Sequence, residues 1–199
     1  MKLYFILFAI ILITSSCDVD TNSSSTEEDE ETNWKYDKTE DRMTSDTVYF
    51  ATTYSDDRLY FGYYRKSENA VSPELTIRKK NNVNEVMVSV THPLKSNYNG
   101  RFYTDDDEIS IRVRFDSQKP EEYTCSGTEG GSGGIVFIDS ATTFITKLKK
   151  SKKLLIEAEF IANSAGEVIT NHRDKSIVAI PPAGNKTEIM EFDIAGLEW

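Results

Sequence analysis

The chain has 199 residues, of which 38% are hydrophobic, and its 33 acidic against 23 basic side chains give a formal charge of −10 at pH 7. A mildly to strongly acidic balance of this kind offers nothing that suggests a nucleic-acid footprint, so no nucleic-acid partner is expected. Two cysteines, Cys17 and Cys125, are too few for a disulfide framework, and two histidines, His92 and His172, leave little for acid–base chemistry near neutral pH.

Met1 and Lys2 give a positive start, residues 3–13 form an unbroken apolar run, and Thr14, Ser15 and Ser16 set small side chains directly before Cys17. This is the layout of a secretory signal. As a helix the run rises about 16 Å against about 30 Å of bilayer hydrocarbon, so it is too short to span a membrane. The stretch Ile13-Thr14-Ser15-Ser16-Cys17 resembles the lipobox of bacterial lipoproteins, with Thr14 where that family usually has leucine. The resemblance implies that residues 1–16 are a cleaved signal peptide and that Cys17 is acylated, by palmitate or a similar chain. It further implies a lipid-anchored protein at the outer membrane, on its periplasmic face or at the cell surface. Several acyl chains together hold a protein at a membrane where one alone binds only marginally. An ordinary cleaved signal with an incidental cysteine is the plainer alternative.

Residues 18–32 contain no large apolar side chain except Val19 and carry five consecutive acids from Glu27 to Glu31. Such a segment buries too little surface to offset its chain entropy. Residues 17–33 are therefore expected to be a disordered acidic tether, and residues 34–199 one domain with a single core. Asp18, Asp20 and the acidic run take most of the charge with them: from Thr32 onward 22 basic side chains face 26 acidic ones, a net −4. The run reads as a solvated spacer or as an export signal, since some surface-displayed lipoproteins of the Bacteroidota resemble this arrangement. If Cys17 is acylated, Cys125 has no partner; if it is not, a bridge between the two is the obvious alternative.

Residues 34–46 are polar apart from Trp34 and Tyr36 and are expected to lie across the domain as a lead-in segment. A first strand is predicted over 47–54, returning after Asp56-Asp57 as a second strand over 58–66 to form a hairpin. Leu75 and Ile77, then Val86, Val88 and Val90, predict another hairpin around Asn81-Asn82, residues that tolerate left-handed backbone. Asn99-Gly100 is a further turn signal. Over 108–116 Ile109, Ile111, Val113 and Phe115 alternate with Ser110, Arg112 and Arg114, the period of a half-buried strand. Residues 120–134 show no pattern; 135–138 form a short apolar strand; and Ser140 as N-cap, with Phe144, Ile145 and Leu148 at helical spacing, predicts a helix over 141–150. Lys147, Lys149, Lys150, Lys152 and Lys153 gather at its end, favourable against the helix dipole or, less simply, a patch for an anionic surface. Leu154, Ile156, Ala158 and Phe160 point one way in the next strand; 176–180 is a short strand; and 187–194 closes the chain with Met190, Phe192 and Ile194 inward. Eight or nine strands with local turns and one short helix predict an all-β fold, an antiparallel β-sandwich or open barrel.

Leu75-Thr76-Ile77-Arg78, then Ile111-Arg112-Val113-Arg114-Phe115-Asp116, then Phe144-Ile145-Thr146-Lys147-Leu148 and the closing Phe192-Asp193-Ile194-Ala195-Gly196-Leu197 occur in an order that resembles the TagO-like proteins associated with type VI secretion. The resemblance covers residues 47–197 and implies an exported, β-rich accessory domain; Lys79 stands where that family tends to have cysteine.

His92 before Pro93 and His172 in a polar loop read as solvated side chains. Cys125 reads as an unpaired loop thiol, because a cysteine nucleophile needs a base and an orienting group nearby. Residues 127–134 lack the Lys-Ser or Lys-Thr of a phosphate loop, and Ser126 and Ser132 lack nucleophile-elbow spacing. Asp105-Asp106-Asp107-Glu108 lacks the glycine and distal glutamate of an EF-hand and reads as a solvated turn. The best binding candidate is Leu59-Tyr60-Phe61-Gly62-Tyr63-Tyr64, where Tyr60 and Tyr64 share the face opposite Leu59, Phe61 and Tyr63; cross-strand packing explains the run equally.

No catalytic set, cofactor or metal site is expected, and no nucleic-acid partner. The leading expectation is a non-enzymatic, lipid-anchored envelope module that binds an envelope protein or glycan, associated with a secretion or surface assembly. The alternatives are a hydrolase or lyase of envelope polymers using Glu157 and Glu159, and a phage or interbacterial exclusion factor.

Overall fold

The computed structural model describes residues 32–40, 42–61, 67–104, 108–128, 133–161, 169–170, 177–178 and 185–199; the expected signal peptide, Cys17 and residues 18–31 of the expected tether lie outside them. In chain order the strands are β1 (Lys35–Glu40), β2 (Thr47–Tyr54), β3 (Glu74–Lys80), β4 (Val83–Ser89), β5 (Ile109–Phe115), β6 (Glu121–Gly127), β7 (Ile135–Ile138), β8 (Lys153–Ile161), β9 (Ile169–Thr170), β10 (Ile177–Val178) and β11 (Asn185–Asp193), with the helix α1 (Ala141–Leu148) between β7 and β8. Nine of the strands form one antiparallel sheet in the order β1-β2-β3-β4-β7-β6-β5-β8-β11, and β9 and β10 pair separately. The fold is thus all-β and antiparallel with one short helix, as the periodicities predict.

Local chemistry explains the best-defined elements. Asn81 and Asn82 both take positive φ, 50° and 61°, so β3 and β4 are joined by a tight turn whose twist suits the strands it connects. Along β5 burial follows the alternation residue by residue, with Ile109, Ile111, Val113 and Phe115 inward. From β8 come Leu154, Ile156, Ala158 and Phe160, and from β11 Met190 and Phe192. Phe144, Ile145 and Leu148 of α1 fill the hollow of the curved sheet, where Phe144 meets Phe115 and Tyr123 edge-on at 5.2 and 5.3 Å between ring centres. The α1 N-terminus is simpler than its sequence suggests: Ser140 makes no side-chain cap, and its main-chain carbonyl accepts from Phe144 at 3.0 Å.

The sheet curls until its two ends approach without pairing. Trp34, buried just before β1, donates its indole N–H to the Ile194 carbonyl at 3.1 Å. Thr53 Oγ1 donates to the Asp193 carbonyl at 3.3 Å, and the Glu191 amide donates to Asp57 Oδ2 at 2.7 Å. These contacts join β11 to the β2 end of the sheet, leaving a barrel open along one seam.

Asp116 ties β5 to β8. It sits in left-handed backbone at φ 48°, and its Oδ1 accepts from the Lys153 and Lys152 amides at 2.8 and 2.9 Å. Those two backbone donors hold its carboxyl below the usual carboxylate range. The folded pKa being lowered, its contribution is present above the unfolded value and is lost as pH falls through the folded one. Asp116→Ala is expected to destabilise by about 1–2 kcal/mol, modest because the bonds face solvent. Asp116→Asn, which keeps an acceptor and tolerates the backbone, should retain most of the stability at pH 7 and flatten the acid limb of a stability-against-pH curve. Equal acid limbs for the parent and Asp116→Asn would remove the carboxylate from the account.

Four sequence expectations are corrected. The lead-in segment is largely β1, which pairs with β2 from Lys35↔Thr52 to Glu40↔Thr47; its six side chains are all exposed, so no apolar period marks it. Residues 58–61 do not pair with 47–54, because β1 and β3 already occupy both sides of β2; Leu59 instead makes a bridge with Val71, and residues 62–66 of the expected strand lie outside the described ones. The patternless stretch holds β6, inserted between β5 and β7, with only Tyr123 and Cys125 inward. Asn99-Gly100 is not a left-handed turn: Asn99 is extended, and glycine is needed at 100 because a Cβ there would lie 2.6 Å from Phe61 and 2.7 Å from Val90.

Candidate functional site

Most residues singled out in the sequence are engaged in holding the fold. Leu59 and Phe61 enter the core, Phe61 lying 5.0 Å from the Phe160 ring; Tyr60 is half-buried, and its carbonyl accepts from Lys186 Nζ at 3.3 Å. Tyr63 and Tyr64 lie outside the described residues, as do Asp105, Asp106, Asp107 and His172. His92 is not simply solvated: Nδ1 accepts from the Leu94 and Lys95 amides at 3.1 Å each, and Nε2 donates to the Glu68 carbonyl at 3.0 Å. Its ring is a clamp for the 92–99 loop. Cys125, expected in a loop, is instead buried on β6, and burial followed by the charge of Asp139 pushes its thiol up to about 12, which keeps it protonated and unreactive. Glu157 pairs with Arg112 at 2.7 Å across β8 and β5, while Glu159 stands opposite Thr187 on β11. At the helix end Lys147 pairs with Glu121, and Lys153 with Glu191 at 2.8 Å, so two of the five lysines are committed to neighbouring strands. Among the described residues there is no cluster of three or more His, Cys, Asp or Glu placed to hold a metal, and no helix long and apolar enough to cross a membrane.

A different place in the molecule has the form of a site. Across β2, β3 and β4 the paired residues Ala51, Ile77 and Val86 form one row on the inner face, fully buried. Two residues along each strand, still on that face, lies the row Tyr49, Lys79 and Asn84, where the hollow of the sheet opens to solvent. The inner face changes from hydrocarbon to polar at this step. From β1 come Tyr36 and Asp37; Thr142, Ile145, Thr146 and Lys149 on and beside α1 form the opposite wall; and Glu198 and Trp199 close one side. The groove, open to solvent on one side, measures about 540 Å³.

Hydrogen bonds hold the last wall in place. Thr32 Oγ1 donates to the Ala195 carbonyl at 3.0 Å, Tyr36 Oη accepts from the Glu198 amide at 2.8 Å, and Trp199 Nε1 donates to Asn84 Oδ1 at 3.3 Å. Other polar atoms remain available. Among the described residues Lys79 Nζ, Lys149 Nζ, the Tyr49 hydroxyl and the Glu198 carboxylate have no hydrogen-bond partner, whereas Asp37, opposite Phe50, belongs to the other face of the sheet and accepts the adjacent Lys38 amide at 2.7 Å. The groove therefore combines exposed ring faces with donors and acceptors of both signs, the make-up of a recognition site at the mouth of a barrel. Of its residues the sequence offers for binding Lys149 alone, within the lysine cluster at the helix end, although Lys79 and Asn84, continuing the inward positions of Ile77 and Val86, are a signal that could have found it. No protein-family model, curated protein or solved structure is similar enough to this chain to match it.

Proposed function

We propose that this chain is a lipid-anchored, non-catalytic binding module of a bacterial cell envelope. An acylated Cys17 and the acidic segment 17–33 hold the β domain away from the membrane, and the groove around Tyr49 meets an envelope protein or glycan. The observation that supports this most is the groove: ring faces and uncommitted amino groups stand together at the mouth of the sheet. Of the groups a hydrolytic reading would recruit, Glu157 is paired with Arg112, His92 is bound to three main-chain groups and Cys125 lies in the core, which leaves the Glu159 carboxylate without its expected partner. An accessory role in a secretion or surface assembly, suggested by the resemblance of residues 47–197 to TagO-like proteins, would use the same surface.

Full-length protein produced in a Gram-negative host fed a labelled fatty acid is expected to carry the label and to sediment with membranes, and Cys17→Ser to lose both. Tyr49→Ser should retain the label while lowering adhesion of protein-bearing vesicles to isolated cell envelopes. An unmodified thiol at position 17 in the native protein, or unchanged adhesion by a natively melting Tyr49→Ser variant, would overturn the proposal.

A further inference from the structure

We infer that the groove takes an anionic saccharide, a sugar bearing a carboxylate or phosphate group, an inference that rests on the binding-module reading above and names its ligand class. Lys38 stands opposite Tyr49, so the groove-side row runs Lys38, Tyr49, Lys79, Asn84 across β1, β2, β3 and β4. A lysine therefore flanks Tyr49 on each side, the two strands lying two ladder spacings or about 10 Å apart, and Lys149 adds a third ammonium group from the helix wall. None of the three ammonium groups has a hydrogen-bond or salt-bridge partner among the described residues. On this face the acids stand at the margins, Glu198 on the side wall and Glu40 two residues beyond Lys38, opposite Thr47. An anionic group set over Tyr49 gains from both flanking lysines, where a cation is repelled. The rest of the groove selects a sugar. Tyr36 and Tyr49 leave 46% and 48% of their surfaces exposed, with Trp199 beside them, and flat ring faces match the C–H faces of a pyranose. Sugar hydroxyls both donate and accept, so the same ligand meets Glu198 and the uncommitted amide N–H groups of Asn84. A bare inorganic anion leaves the rings and the amide unmet. Because β2, β3 and β4 are each paired on both sides, the floor offers no strand edge to an extended acidic peptide. The volume of about 540 Å³ lies within the roughly 300–1,000 Å³ of small-ligand sites and suits one or two sugar units of a longer chain.

The chain has two tryptophans, Trp34 in the core and Trp199 in the groove, so changes in indole emission report largely on the site. Full-length protein in micelles of a polyoxyethylene detergent, which carries no sugar of its own, is to be titrated with galacturonate oligomers, hexose phosphates, neutral galactose oligomers, inorganic phosphate and oligoglutamate. The galacturonate oligomers or the hexose phosphates are expected to give a saturable emission change that weakens as salt is raised, the two arms telling a carboxylate from a phosphate. Lys38→Ala, Lys79→Ala and Tyr49→Ser should each weaken it about tenfold or more. Lys35→Ala, on the opposite face of the same strand, should leave it intact. Galactose oligomers binding as tightly as galacturonate, or acidic sugars binding undiminished to Lys38→Ala and Lys79→Ala, would overturn the anionic class. Inorganic phosphate or oligoglutamate binding as tightly as the acidic sugars would overturn the saccharide. If nothing binds while Tyr49→Ser still lowers adhesion to envelopes, this ligand class is wrong and the binding module stands; if adhesion is also unchanged, the binding-module reading falls with it.

Discussion

Trp34→Ala is expected to cost about 3–5 kcal/mol, the range for emptying a buried indole site, out of a total stability of about 5–15 kcal/mol for a typical domain. The size follows from position. Trp34 is only 4% exposed although it precedes the first strand, and its N–H···O bond to Ile194 links the start of the sheet to the end of β11. No ladder closes that seam, so loss of the side chain is not shared with neighbouring strand pairs. Trp34→Phe keeps most of the packing and drops the hydrogen bond, for an expected loss of about 1 kcal/mol plus a partial cavity. Urea unfolding followed by circular dichroism measures both. A change within about 0.5 kcal/mol for Trp34→Ala, the size of a surface substitution, would mean the seam carries no weight.

Phe144→Ala should be as severe, about 3–5 kcal/mol, with a local consequence that Trp34→Ala lacks. A helix of eight residues is too short to persist by its own propensity, so α1 exists because Phe144, Ile145 and Leu148 bury inside the sheet. Phe144 is fully buried between Phe115 and Tyr123. Its removal should release the helix before the sheet. Hydrogen exchange gives the test: the Lys149 amide, bonded to the Ile145 carbonyl at 3.1 Å, should lose protection more than the amides of β5 and β8. Phe144→Leu should cost less than half as much, since it keeps most of the volume. Uniform loss of protection across helix and sheet would show that they unfold as one unit.

Sequence reasoning worked where a strand has one wet and one dry face over several residues. β5, β8 and β11 each bury at least two side chains at a spacing of two, with polar neighbours between apart from Leu155; the bounds of β5 and β11 agree with the predicted ones to within about two residues, and the inward residues of β8 are those the sequence marks. It failed where one of those faces is missing or too short. β1 has no dry face and β6 contributes only Tyr123 and Cys125, so neither produces a period to read. The 58–66 segment failed for another reason: its aromatics alternate well, yet pairing depends on whether a neighbouring edge is vacant, which composition does not reveal. The groove is harder still, since Tyr36, Tyr49, Lys79, Asn84 and Trp199 come from five separate stretches and meet only once the sheet has curled.

The bareness of β1 has a consequence for molecules held side by side. An outermost strand exposes unspent main-chain N–H and C=O groups along one rim, the template on which identical chains polymerise. Here that rim carries Lys35, Asp37, Lys38 and Glu40 at four of its six positions. A second copy added parallel and in register would set like charges opposite one another, Lys35 on Lys35 and Asp37 on Asp37, with Tyr36 as the one large apolar side chain to bury in return. The strand that contributes least to the core thus carries the charges that disfavour parallel stacking of identical rims.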